Sequence, residues 1–178
     1  MPAPGIIPLV HTEPTIIERP AEPYLSLPVS VNMETIGPAI PDSHARLLAW
    51  MSEHDVEPAG PPFVRYNLID MERELEIEVG LPIRIGVAGD GAIAAGALPA
   101  GRYASLIHVG PYEELIDANA ALQDWALAKG LAFDMAETPD GDRFGSRLEL
   151  YLTDPVEEPD PAKWRTEVAY RLADEPTG

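Results

Sequence analysis

Strict alternation between apolar and polar residues recurs along this chain in one order, used twice, and that repetition constrains the fold most. The stretch SRLELYLTDP (146–155) puts Leu148, Leu150 and Leu152 on one side and Arg147, Glu149, Tyr151 and Thr153 on the other. A period of two predicts a strand with one face on a core. The same signature marks PPFVRYNLID (61–70), ELEIEVGLPI (74–83), GRYASLIHVG (101–110) and WRTEVAYRL (164–172). Asp70, Met71, Glu72 and Arg73 form a tight connection that makes the first two an antiparallel pair. PTIIERPAEPYLSLPVSV (14–31) reads as extended, with prolines that bend it or hold it at an edge.

Two segments carry the helical period instead. In 41–55, Asp42 or Ser43 caps a helix in which His44, Leu47, Leu48 and Met51 share a face. In 112–129, acidic residues fill the first turn and Leu115, Ala118, Leu122, Trp125 and Ala126 form the apolar stripe. Lys129 and Gly130 end it. Strand, helix, strand, strand therefore occurs twice, and internal repetition outranks local detail in choosing a fold. The predicted class is α+β: duplicated strand–helix–strand–strand modules, antiparallel sheets with two helices on one side, and a ligand groove at the pseudo-twofold. The boundaries are a flexible Pro-rich arm at 1–13 and a single domain at 14–174. Within it, module one spans 14–85, a Gly/Ala-rich crossover 86–101 and module two 102–174. The GDGAIAAG run in the crossover does not fit a dinucleotide fingerprint, because no helix pattern follows it.

Composition narrows the function. Twelve Lys and Arg against thirty Asp and Glu give a net charge of −18, a field that repels a phosphate backbone and favours cationic or electron-poor ligands. Direct nucleic-acid binding is not expected, and the acidity also serves solubility. The absence of cysteine removes disulfides, thiolate metal sites and thiol nucleophiles. The four histidines have no ligand spacing, so neither metal nor cofactor is expected. No signal-peptide pattern and no membrane-length apolar run is present, and a soluble cytoplasmic protein is the plain expectation.

In its order of elements the chain resembles the GyrI-like, or effector-binding, domain found at the C-termini of AraC-type and MerR-type multidrug-responsive regulators. The matching pieces are Tyr103-Ala104, then His108-Val109-Gly110-Pro111-Tyr112 before a helix, then Leu148-Glu149-Leu150-Tyr151-Leu152, then Trp164-Arg165-Thr166-Glu167-Val168. They cover about residues 14–172. The resemblance implies a groove between the halves, with Glu149 at its base attracting cationic or polarised ligands and Trp164 in its wall. With only about fourteen residues ahead of the first strand, the expectation is a stand-alone member without a DNA-binding region.

Alternation carries Glu149 to the same place. If Leu148, Leu150 and Leu152 pack under the helices, Glu149 and Tyr151 face away from them, toward the groove. Desolvation there disfavours a charged carboxylate, making it an anchor for cations or a general acid or base. The plainer alternative is a solvated strand-face Glu paired with Arg147 or Arg165. Aromatic walls attract cations and stack planar ligands. Trp164, Tyr151, Tyr66 and Tyr103 are the candidates, with Tyr66 roughly at the first-half equivalent of Glu149. Glu167 is a candidate second groove carboxylate. Trp125 reads as core, Tyr112 as a structural staple, and Tyr170 as either core or lining.

Three functions remain open. The first is binding of bulky hydrophobic, aromatic or cationic compounds for sequestration or sensing. The second, implied by the resemblance, is hydrolysis of cyclopropane-bearing, DNA-alkylating natural products, with Glu149 and a tyrosine such as Tyr151 as the working groups. The third is a gyrase-inhibitor-like protein-interaction module.

Overall fold

The structure is a computed structural model and describes residues 11–174. Its elements are β1 (Thr15–Arg19), β2 (Glu22–Val31), α1 (Ile36–Glu53), β3 (Phe63–Ile69), β4 (Leu75–Pro82), β5 (Ala94–Leu98), β6 (Gly101–Val109), α2 (Leu115–Ala128), β7 (Met135–Thr138), β8 (Gly141–Phe144), β9 (Arg147–Tyr151) and β10 (Arg165–Arg171). The strands form one curled antiparallel sheet in the order β1-β6-β10-β9-β3-β4-β2-β5, with the β7–β8 hairpin hung on β3.

Registers expose the internal symmetry. At the centre Val64 of β3 opposes Glu149 of β9. Val79 pairs with Val64, and Val168 pairs with Glu149. Leu27 then pairs with Val79, and Leu106 with Val168. A twofold through the Val64–Glu149 pair thus carries one half onto the other. Paired residues share a face of a sheet, so Leu27, Val79, Val64, Glu149, Val168 and Leu106 form one row. Five members are apolar and one is a carboxylate. This register matches Val64, not Tyr66, with Glu149; Tyr66 is the counterpart of Tyr151.

Both helices lie over that face. Leu47 and Met51 of α1 pack on Leu25, Leu27 and Leu81, while Ile36, Ala39 and Ile40 cover Val31, Val64 and Ile77. On the other half, Leu115, Ala118 and Leu122 of α2 cover Ala104, Leu106, Val168 and Tyr170. The inner face of the curl holds a separate core of Tyr24, Phe63, Leu98, Tyr103, Leu148, Leu150 and Ala169. Leu148 and Leu150 therefore turn away from the helices, and Leu152 is 40% exposed. The expectation that these leucines pack beneath the helices is reversed: Glu149 and Tyr151 occupy the helix-bearing face.

The interval 86–101 contains β5, paired along β2. Its Gly/Ala content has a packing reason, since a Cβ on Gly96 would lie 2.8 Å from the Tyr24 ring. Helix α1 begins at Ile36, ahead of the expected caps, and Pro41 sits inside it. Of the arm placed at 1–13, residues 1–10 lie outside the described residues. His11 bridges to His108, and the Thr12 N–H donates to the Ile107 carbonyl at 2.8 Å. Among the described residues, no helix is long and apolar enough to cross a membrane.

Candidate functional site: a buried carboxylate among phenols

Strand β9 delivers Glu149 to the middle of the helix-bearing face, where its residue is only 6% exposed. Burying a carboxylate is costly unless hydrogen bonds replace its water. Three do so here. The Tyr66 hydroxyl donates to Oε1 at 2.7 Å and the Tyr151 hydroxyl to the same oxygen at 3.1 Å. Nδ2 of Asn119 donates to Oε2 at 3.0 Å. All three donors are neutral. They use three of the roughly four acceptor positions of a carboxylate. Among the described residues Glu149 makes no ion pair.

The geometry of the donors follows from the fold. Tyr66 and Tyr151 stand on neighbouring strands, two residues beyond Val64 and Glu149 respectively, and the twofold brings both hydroxyls to one point. Burial pushes the pKa of each phenol well above its ordinary value, and the Glu149 charge adds to the shift. Both phenols are thus fixed as donors.

Asn119 is the contribution of α2. Its Nδ2 also donates to the Leu115 carbonyl at 2.8 Å, while its Oδ1 accepts from the Tyr170 hydroxyl at 2.6 Å. The chain of bonds continues to Gln123, whose Nε2 donates to the Tyr170 hydroxyl at 2.9 Å. Tyr170 is therefore both core and network. Outward from Glu149, Tyr151 meets Tyr112 edge-on at 5.4 Å, and Tyr112 meets Trp164 at 4.7 Å. Trp164 is anchored by its indole N–H, which donates to the Glu158 carbonyl at 2.7 Å.

The structure gathers Glu149, Tyr66 and Tyr151, with Trp164 reached through Tyr112. It does not bring Tyr103 or Glu167 to them. Tyr103 faces the inner core and donates to the Pro99 carbonyl at 2.7 Å. Glu167, of opposite parity to Val168, pairs with Arg19 at 2.8 Å and accepts from Ser105 at 2.7 Å on the inner face. Asn119 escaped the sequence reading because one polar residue beside an apolar stripe resembles a helix-surface position. Its signal was its place directly after Ala118 and four residues after Leu115. Tyr112, read as a staple, extends the aromatic wall.

The inner face repeats the Ser–Glu pair of Ser105 and Glu167. Ser26 donates to Glu78 at 2.9 Å, as does the Tyr24 hydroxyl. The two pairs are related by the same registers that relate Leu27 to Leu106. The Glu149 carboxylate has no such counterpart, because Val64 stands in its place. The site is where the duplicated fold departs from its own symmetry.

Comparison with known proteins agrees with this architecture. A structure of the EcmrR–DNA complex superposes with a TM-score of 0.70 at 19% identity over 93% of this chain, which spans 59% of that protein's length. The structure of SAV2435 bound to tetraphenylphosphonium gives 0.60 at 10% identity, covering 91% of this chain and 94% of the other. A hydrolase from Listeria innocua gives 0.59 at 15% identity, with 90% and 92% covered. At these identities the likeness is one of fold. A comparison with curated proteins returns no match. The model of the GyrI-like small molecule binding domain matches residues 12–173, and the chain belongs to that family.

Proposed function

We propose that this protein binds bulky, hydrophobic cations or electron-poor aromatic compounds over the Glu149 cluster, with Tyr66, Tyr151, Tyr112 and Trp164 as the aromatic surface. The observation that carries this reading is a nearly buried carboxylate held by three neutral donors. Its charge acts through a poorly screening medium. Such a group attracts a cation without needing to touch it. The ligand's flat apolar parts then stack on rings, at about 0.5–2 kcal/mol each. The net charge of −18 raises the local concentration of cations in the same direction.

The test is calorimetry with tetraphenylphosphonium on wild type, Glu149→Gln and Glu167→Gln. Affinity should fall about tenfold or more in Glu149→Gln, or 1.4 kcal/mol per decade. Glu167→Gln, altered on the opposite face, should match wild type. Equal binding by all three overturns the reading.

A second reading is favoured by one detail, the convergence of two phenolic donors on one carboxylate oxygen. That is the equipment of an acid–base site, and it suits hydrolysis of a cyclopropane-bearing alkylating compound. Here Glu149→Gln would lower turnover more than ligand affinity, read from product mass against binding.

A further inference from the structure

Behind the Glu149 network, on the far side of Tyr170, lies a cleft of about 340 Å³ between the C-terminal half of α2 and the β7–β8 hairpin. Its walls are Leu131, Phe133, Phe144 and Tyr170, with Leu127, 80% exposed, at the mouth. Polar groups reach it at three points: the Gln123 amide, the Asp142 carboxylate and the Arg147 guanidinium. A mostly apolar concavity of this size with a few polar groups is the usual form of a small-molecule site.

Arg147 is the group that gives the cleft its chemistry. Its guanidinium lies over the rings of Tyr170 at 4.6 Å, Phe144 at 4.9 Å and Tyr66 at 5.7 Å. Stacking fixes its plane. Its hydrogen bond to Asn119 Oδ1 is long, at 3.5 Å, and its Nε finds no acceptor among the described residues. A guanidinium has five N–H groups to place. The buried Nε–H is the one left without an acceptor among the described residues, and the side chain lines the cleft beside an aromatic wall.

The sign of the occupant follows from the neighbours. Asp142 lines the same cleft, and the chain as a whole carries −18. An anion would answer Arg147 but meet both of these. A cation would meet the guanidinium. We infer that this cleft is a second ligand site, separate from the aromatic surface over Glu149, for a neutral planar aromatic molecule whose carbonyl oxygen accepts from Arg147. Its rings lie against Phe133, Phe144 and Tyr170, and its edge is shielded by Leu127.

Coumarin, a flat neutral lactone, serves as the probe, with a carboxylate-bearing coumarin as its charged counterpart. Titration followed by protein NMR should shift signals of Phe133, Phe144 and Leu127 for coumarin. The carboxylate should bind at least about tenfold more weakly. Leu127→Trp, at an exposed position, fills the mouth and should abolish coumarin binding while leaving tetraphenylphosphonium binding unchanged. Arg147→Lys keeps the charge but loses the planar stack and should weaken coumarin about tenfold. The inference is overturned if coumarin binds Leu127→Trp as well as wild type, if the carboxylate binds as tightly as coumarin, or if saturating tetraphenylphosphonium displaces coumarin. Because Leu127→Trp is read with both probes, failure of this site and failure of the Glu149 site give different results.

Discussion

Removing Glu149 tests the price of its three donors. In Glu149→Leu, the Tyr66 and Tyr151 hydroxyls and the Asn119 amide lose their acceptor while remaining buried, at about 1–3 kcal/mol for each group left unmatched. Glu149→Gln keeps an oxygen for the two phenols but turns an amide N–H₂ toward Asn119 Nδ2. Chemical denaturation should therefore rank wild type above Glu149→Gln, with Glu149→Leu lowest. A Leu variant as stable as wild type would mean that water reaches these donors. A second residue-scale effect is alkaline. Burial, followed by the Glu78 charge, raises the Tyr24 pKa from 10.0 to about 12. Above pH 10 the unfolded chain gives up this proton while the folded protein keeps it. The contribution is thus complete below pH 10 and is lost as pH rises toward 12, amounting to about 3 kcal/mol. Tyr66, Tyr151, Tyr103, Tyr112 and Tyr170 are shifted in the same direction. Tyrosinate absorbance should consequently rise late and together with unfolding, not ahead of it.

Among the elements, the strands differ in how plainly their residues announce them. β3, β4, β6, β9 and β10 carry the alternation in their residues, and periodicity finds all five. β5 does not alternate: AAGAL carries no contrast between faces, and it is a strand because β2 offers it an edge. The strands of the β7–β8 hairpin, four residues each, are too short to show a period, although Pro139-Asp140-Gly141 is a turn sequence, with Gly141 at φ 134 where a side chain would be strained. Close packing across the inner face gives a sharp test. A Cβ on Gly80 would lie 2.5 Å from Cζ of Phe63, a ring with no exposure and nowhere to retreat. Gly80→Ala should cost about 1–3 kcal/mol by overpacking, measured as a lower denaturation midpoint at unchanged m-value. No loss of stability would show that Phe63 has room to move.

At the scale of the molecule, the two halves share more than a boundary. The inner core takes Tyr24 and Phe63 from the first half and Tyr103, Leu148, Leu150 and Ala169 from the second, and the β3–β9 ladder joins them. Residues 102–174 expressed alone should accordingly fail to show cooperative thermal unfolding, and should recover it when mixed with residues 11–101. A cooperative transition in the isolated half would make the modules independent units. What the sequence by itself determined was parity and order: strand, helix, strand, strand twice over, and Glu149 on the face opposite to Leu148 and Leu150. A period of two separates the faces but cannot say which one the helices cover, and here both are covered, by helices on one side and by the sheet's own curl on the other. That choice came only with the tertiary structure. It placed Glu149 beneath α2, brought Asn119 to it, and sent Tyr103 and Glu167 to the far side. The physical reason is that backbone geometry fixes alternation locally, whereas the burial of a face is decided by residues distant in the chain.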